Sequence, residues 1–107
     1  MSDLQWDRDF AFEQSGEDIE LLEELLSLLV DSSASDLAKV REGIAAGDGK
    51  AVAEAAHSIK GAAASMGVEG LRQIAYEFEK KGRAGELDTL DISALADLVG
   101  QLKSLKA

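Results

Sequence analysis

Cysteine and proline are both missing from this chain of 107 residues, and histidine occurs once. Without cysteine there is no disulfide framework and no thiolate metal site, and a single histidine nearly excludes a histidine-based one. Long apolar runs are also lacking. Nothing approaches the ~20 residues needed to span a bilayer, and no signal peptide opens the chain, so a cytoplasmic protein is expected. Basic residues are scarce in the first third: residues 1–37 hold eleven acids against one base, Arg8, which accounts for the whole net charge of −10. Such an acidic flank repels phosphate backbones and anionic lipid, so neither nucleic acid nor membrane is an expected partner. The acids themselves read most simply as a solvated helix face.

What is present is helical. With no proline and 46% hydrophobic residues, mostly leucine and alanine, the composition points to an all-α protein. At this length it is one domain, residues 1–107, able to bury roughly two thirds of its unfolded surface. Glycines punctuate the chain at Gly16, Gly47 with Gly49, Gly67 with Gly70, and Gly82 with Gly85. Leu4, Trp6, Phe10 and Phe12 mark a short N-terminal helical segment that covers one end of the core. Ser15 or Asp18 then caps a long helix over 17–46, whose apolar positions are Leu22, Leu26, Leu29, Ser33, Leu37, Val40 and Ile44, with a bend expected in the poor helix formers of 31–35. A second helix over 49–66 buries Val52, Ala56, Ile59, Ala63 and Met66. A third, over 68–84, buries Leu71, Ile74, Ala75 and Phe78, and a fourth, over 88–106, buries Ile92, Leu95, Leu98, Leu102 and Leu105. Short turns between four amphipathic helices predict an antiparallel up-down four-helix bundle.

His57 stands apart from this pattern. With about 100° between successive residues, it projects about 140° from the centre of the second helix's buried stripe, Gly61 about 180°, Ala64 about 120° and Lys60 about 80°. The imidazole therefore faces solvent, with only Gly61 and Ala64 on its face one turn further on. Gly61 costs roughly 1 kcal/mol relative to alanine in a helix interior and points away from the core. Close approach by a partner's backbone explains it better than internal packing. A lone helical histidine is ordinarily a plain surface residue. Here Lys60 supplies a cation suited to a phosphoryl group, and neutral imidazole is a competent nucleophile near pH 7.

The stretch His57-Ser58-Ile59-Lys60-Gly61-Ala62-Ala63-Ala64-Ser65-Met66-Gly67 resembles the signature of histidine-containing phosphotransfer (HPt) domains, H-x-[L/I]-K-G-[S/A]-x-x-x-[L/M]-G. The resemblance extends over the bundle, from the long first helix through the Ala45-Ala46-Gly47-Asp48 turn to Phe78-Glu79. It implies a four-helix bundle that shuttles phosphoryl groups between the aspartates of response-regulator receiver domains. By position it makes His57 the phosphorylated residue, through Nε2, Lys60 the basic neighbour and Gly61 the clearance residue. Glu79, twenty-two residues after the histidine, falls where the family places glutamine or glutamate to hydrogen-bond the other ring nitrogen; a solvated helix glutamate is the plain alternative. Glutamate there resembles the chemotaxis-kinase branch. Ala62 stands for the serine of many members and Met66 for the usual leucine.

The expected partners are a receiver domain and a sensor or hybrid histidine kinase, met through Glu54, Ser58, Gly61 and Ala64, with Ser65, Arg72, Tyr76 and Arg83 as further rim candidates. No cofactor is expected on this chain, and Mg²⁺ belongs to the receiver's acidic pocket. No ATP-binding motif is present, so a relay intermediate rather than a kinase is expected. Met1 and the finish after Leu105 suit a free-standing monomer, although a module of a larger kinase would look the same, and Trp6, Phe10 and Phe12 are the residues that would form a dimer. Two other readings remain: a helical adaptor without chemistry, and an acyl-carrier-like protein, for which Asp31-Ser32-Ser33 is a faint echo.

Overall fold

Aspartates begin most of the helices in this fold. The computed structural model describes residues 3–107. Asp7 opens α1 (Arg8–Gln14), Asp18 opens α2 (Ile19–Ala46), Asp48 opens α3 (Gly49–Ser65) and Asp91 opens α5 (Ile92–Gln101), each carboxylate accepting a hydrogen bond from a backbone N–H two or three residues on. These contacts satisfy donors that a helix start leaves free and set a negative charge against the positive end of its dipole. Among the described α-helices only α4 (Glu69–Ala84) starts without a side-chain cap. Gly47, which ends α2 at φ 66°, supplies the left-handed conformation that turns the chain into α3.

Helices α2 to α5 form the four-helix bundle, and no strand occurs among the described residues. α3 packs along both α4 and α2, and α5 closes the far side against α2 and α4. The core is built from Leu22, Leu26, Leu29 and Val40 of α2, Val52, Ala56, Ile59 and Ala63 of α3, Leu71, Ala75 and Phe78 of α4, and Leu95, Leu98 and Leu102 at the C-terminal end. Among the described residues no helix is long and apolar enough to cross a membrane.

Several expected boundaries shift. Ser15 ends α1 rather than capping α2, its hydroxyl donating to Ala11 O at 2.8 Å. α2 runs unbroken through 31–35, because the packing of Leu29, Ser33 and Val40 in the core outweighs weak local propensity. Ser33 is buried and Ser32 lies within the helix, its hydroxyl on Leu29 O, so neither serine of the Asp31-Ser32-Ser33 stretch stands at a helix start. Leu37 and Ile44 are half-buried, while Asp36 and Gly43 take buried places. At Gly43 the start of α3 comes so close that a Cβ would lie 2.8 Å from Val52 Cγ2. The expected helix over 88–106 is shorter. Residues 87–89 form a 3-10 turn, the Asp91 cap fixes the start of α5, and 102–104 tighten into a second 3-10 turn.

The N-terminal segment does cover one end of the bundle. Trp6 Nε1–H donates to Met66 O at 3.0 Å, Asp7 N–H to Gly67 O at 2.9 Å, and Gly70 N–H to Leu4 O at 2.8 Å. Leu4 enters the core with Trp6 and Phe12 packed against it, whereas Phe10 stays exposed. The strand-like pairing of Trp6 with Val68 thus pins the segment to the α3–α4 turn.

The crossing that positions the site is that of α3 and α4. A Cβ on Gly49 would stand 2.3 Å from Gly82 O, and one on Gly82 would stand 2.9 Å from both Ala53 N and Gly49 O. Backbone meets backbone there, and only glycine allows it. Gly49→Ala should therefore lower the unfolding free energy by ~1–3 kcal/mol, as overpacking does. Gly61→Ala, whose Cβ would meet nothing within 4 Å, should raise it by about 0.5–1 kcal/mol. Urea titration of both variants beside the wild type measures the difference.

Candidate functional site

α3 carries Ala56, Ile59 and Ala63 on its buried side and His57 on its outer flank, where the side chain is 62% exposed. Gly61 is open to solvent, and Ser58, Ala64, Ser65 and Glu54 are exposed around it. The imidazole does not stand alone. Its Nδ1 lies 2.9 Å from Oε2 of Glu79, which projects from α4 across the tight crossing. Glu79 is not the solvated glutamate of the plain alternative: its side chain is 1% exposed.

A buried carboxylate requires compensation, and this one has it. Lys60, one turn along α3 from His57 and 25% exposed, places Nζ 2.7 Å from Oε1 as a charge contact without hydrogen-bond alignment. Arg83, one turn along α4, pairs with Oε2 from its exposed position. Burial by itself raises the Glu79 pKa, but the Lys60 ammonium, the His57 contact and the Arg83 charge outweigh it. Together they hold the carboxyl below its ordinary value. Glu79 is thus ionised at neutral pH and can only accept, so the proton in the contact resides on Nδ1. In a neutral imidazole held this way, Nε2 has the free lone pair.

Around this centre Lys60 also lies over the Tyr76 ring, 5.1 Å from its centroid, with Lys80 Nζ 4.6 Å from the same centroid. Arg72 is occupied by Glu69 on its own helix. A cleft of about 620 Å³ between α3 and α4 is lined by Lys50, Ala53, Glu54, His57, Gly82 and Arg83. Among the described residues no group of His, Cys, Asp or Glu is arranged to hold a metal ion.

The sequence pattern thus brings His57, Lys60, Gly61 and Glu79 into one place, while Ser58, Glu54 and Ala64 form its rim. The tie between Arg83 and Glu79 lies outside the sequence pattern, which places Arg83 only on the rim. Their spacing of four along α4 was the available signal, but that spacing tells nothing unless Glu79 is known to be buried.

The site is thus an exposed imidazole anchored through Nδ1 on a helical bundle. The Hpt domain family matches residues 24–105, and the chain belongs to it. Hpt domains are the histidine phosphotransfer modules of phosphorelays and work with receiver domains and histidine kinases. Among solved structures, histidine-containing phosphotransfer protein B (HptB) from Pseudomonas aeruginosa PAO1 shares the fold with a TM-score of 0.83. It is 24% identical, over 94% of this chain and 89% of that one. No curated protein matches the chain.

The site couples to stability through pH. Folding holds the Glu79 carboxyl below its ordinary value of 4.5, so its ionised form stabilises the fold above that pH. The contribution is lost as pH falls through the lowered folded value. Glu79→Gln lacks it. The stability gap between wild type and Glu79→Gln should therefore narrow as pH is lowered from neutral through the acid range, read by urea unfolding at a series of pH values.

Proposed function

We propose that the chain accepts a phosphoryl group on His57 Nε2 from the aspartyl phosphate of a receiver domain and passes it to the aspartate of another. The observation that carries this reading is the pairing of an exposed imidazole with a buried, ionised Glu79 through Nδ1. The Nε2 lone pair attacks phosphorus in line, the phosphorus–oxygen bond to the receiver's aspartate breaks, and that aspartate leaves as a carboxylate. Nδ1 keeps its proton, so positive charge develops on the ring as the N–P bond forms. The Glu79 carboxylate, 2.9 Å away, stabilises that charge, and it is in place before the reaction starts. Lys60 sits where its ammonium balances the incoming phosphoryl group.

The partners on this reading are a receiver domain and a sensor or hybrid histidine kinase, in the cytoplasm, with Mg²⁺ held by the receiver's acidic pocket. The side chains of His57, Lys60 and Glu79 come from α3 and α4 of one chain, so a single copy suffices. Transfer in both directions follows from an open site that favours neither partner.

Two experiments test this. His57→Gln should take no label from a phosphorylated receiver domain under conditions that label the wild type; equal labelling of the two ends the proposal. At Gly61, alanine should leave the transfer rate within about threefold of wild type. A glutamine, standing where the structure leaves open space, should slow transfer by roughly tenfold or more, since a misplacement of ~1 Å in the reacting pair costs up to two orders of magnitude. Stopped-flow transfer rates, with circular dichroism to confirm the fold, provide the comparison.

A further inference from the structure

Glu79 Oε2 serves two donors at once: His57 Nδ1 on α3 and the guanidinium of Arg83 on its own helix. The other oxygen faces Lys60. The carboxylate is therefore clamped from both ends, with a full positive charge at each. If Arg83 is taken away, Lys60 is the only full cation left on Glu79 among the described residues, and it stands at Oε1. The carboxylate is then free to turn about its last side-chain bond toward that ammonium, drawing Oε2 off the imidazole. An imidazole without this acceptor populates both neutral tautomers, and in the one protonated at Nε2 the outward nitrogen has no lone pair to offer.

The geometry points to Arg83 as a positioning residue that acts on the chemistry of His57 through Glu79, holding Oε2 on Nδ1 and so keeping Nε2 unprotonated. This rests on the reading of His57 as the phosphoacceptor and extends it to a residue outside the HPt signature. The Gly49–Gly82 crossing makes the arrangement possible, because it lets positions 79 and 83 of α4 stand against the outer flank of α3. Arg83 is 64% exposed, so replacing it leaves the core untouched.

The test uses phosphoramidate, a small nitrogen–phosphorus donor that requires no partner protein. Nε2 attacks its phosphorus, the bond to the amine nitrogen breaks, ammonia departs with its protons, and the ring nitrogen is phosphorylated. In the wild type, ¹⁵N NMR of the neutral imidazole should show Nδ1 protonated, and phosphorylation should fall on Nε2. Arg83→Gln should give mixed tautomers and a rate lower by about fivefold, the equivalent of ~1 kcal/mol in the barrier. Arg83→Lys, which keeps a cation in reach of Oε2, should recover most of the loss. In a Glu79→Gln background, adding Arg83→Gln should change the rate by less than about twofold, as expected of residues acting through one contact. An unchanged tautomer in Arg83→Gln, or an equal rate loss with and without Glu79, overturns the assignment. A wild-type His57 that takes no phosphoryl group from either phosphoramidate or a receiver would instead sink the phosphoacceptor reading, while the tautomer measurement would still decide the role of Arg83.

Discussion

The α3–α4 interface is organised around a carboxylate that water does not reach. Burying Glu79 is unfavourable unless cations and hydrogen-bond donors surround it, and its partners come from both helices: His57 and Lys60 from α3, Arg83 from α4. The same contacts that make the burial tolerable fix the imidazole and leave its second nitrogen facing solvent. Stability and chemistry are thus linked at one side chain. A neutral residue would pack there at less electrostatic cost, but it would not stabilise positive charge on the ring.

Geometry makes this contact available. α3 and α4 approach until backbone touches backbone at Gly49 and Gly82, and at that separation a glutamate is long enough to reach the neighbouring helix's outer flank. Glycine is used in the opposite sense at Gly61, where nothing stands within 4 Å of the missing side chain. One helix therefore carries both kinds of glycine: one packed against a neighbouring backbone, and one facing open space. The cost of placing glycine in a helix interior, about 1 kcal/mol, has no structural compensation at Gly61.

Charge is distributed in keeping with this layout. The acids of residues 1–37 carry the net charge of the chain, whereas the bases Lys50, Lys60 and Arg83 gather on the α3–α4 side. Phosphoryl chemistry benefits from local positive charge, and the acidic flank discourages indiscriminate binding of other polyanions.

Much of the fold was legible along the chain. The leucine and alanine periods set the helices, aspartates and glycines set their ends, and the small residues facing away from the apolar stripe marked His57 as exposed. Local pattern sufficed there because helix faces and caps are governed by residues within a turn or two. It failed where packing decided. The weak formers of 31–35 stayed helical because their neighbours are buried, and the last helix shortened because Asp91 starts it late. The signature resemblance pointed to Glu79, yet the sequence left it balanced between orienter and solvated glutamate. Its burial, and with it the role of Arg83, depends on how closely two helices cross, a distance fixed by contacts between residues more than twenty positions apart. By itself the sequence determined where the helices lie and which way the histidine faces. Only the tertiary structure decided what holds the imidazole, since the hydrogen bond to Nδ1 comes from another helix.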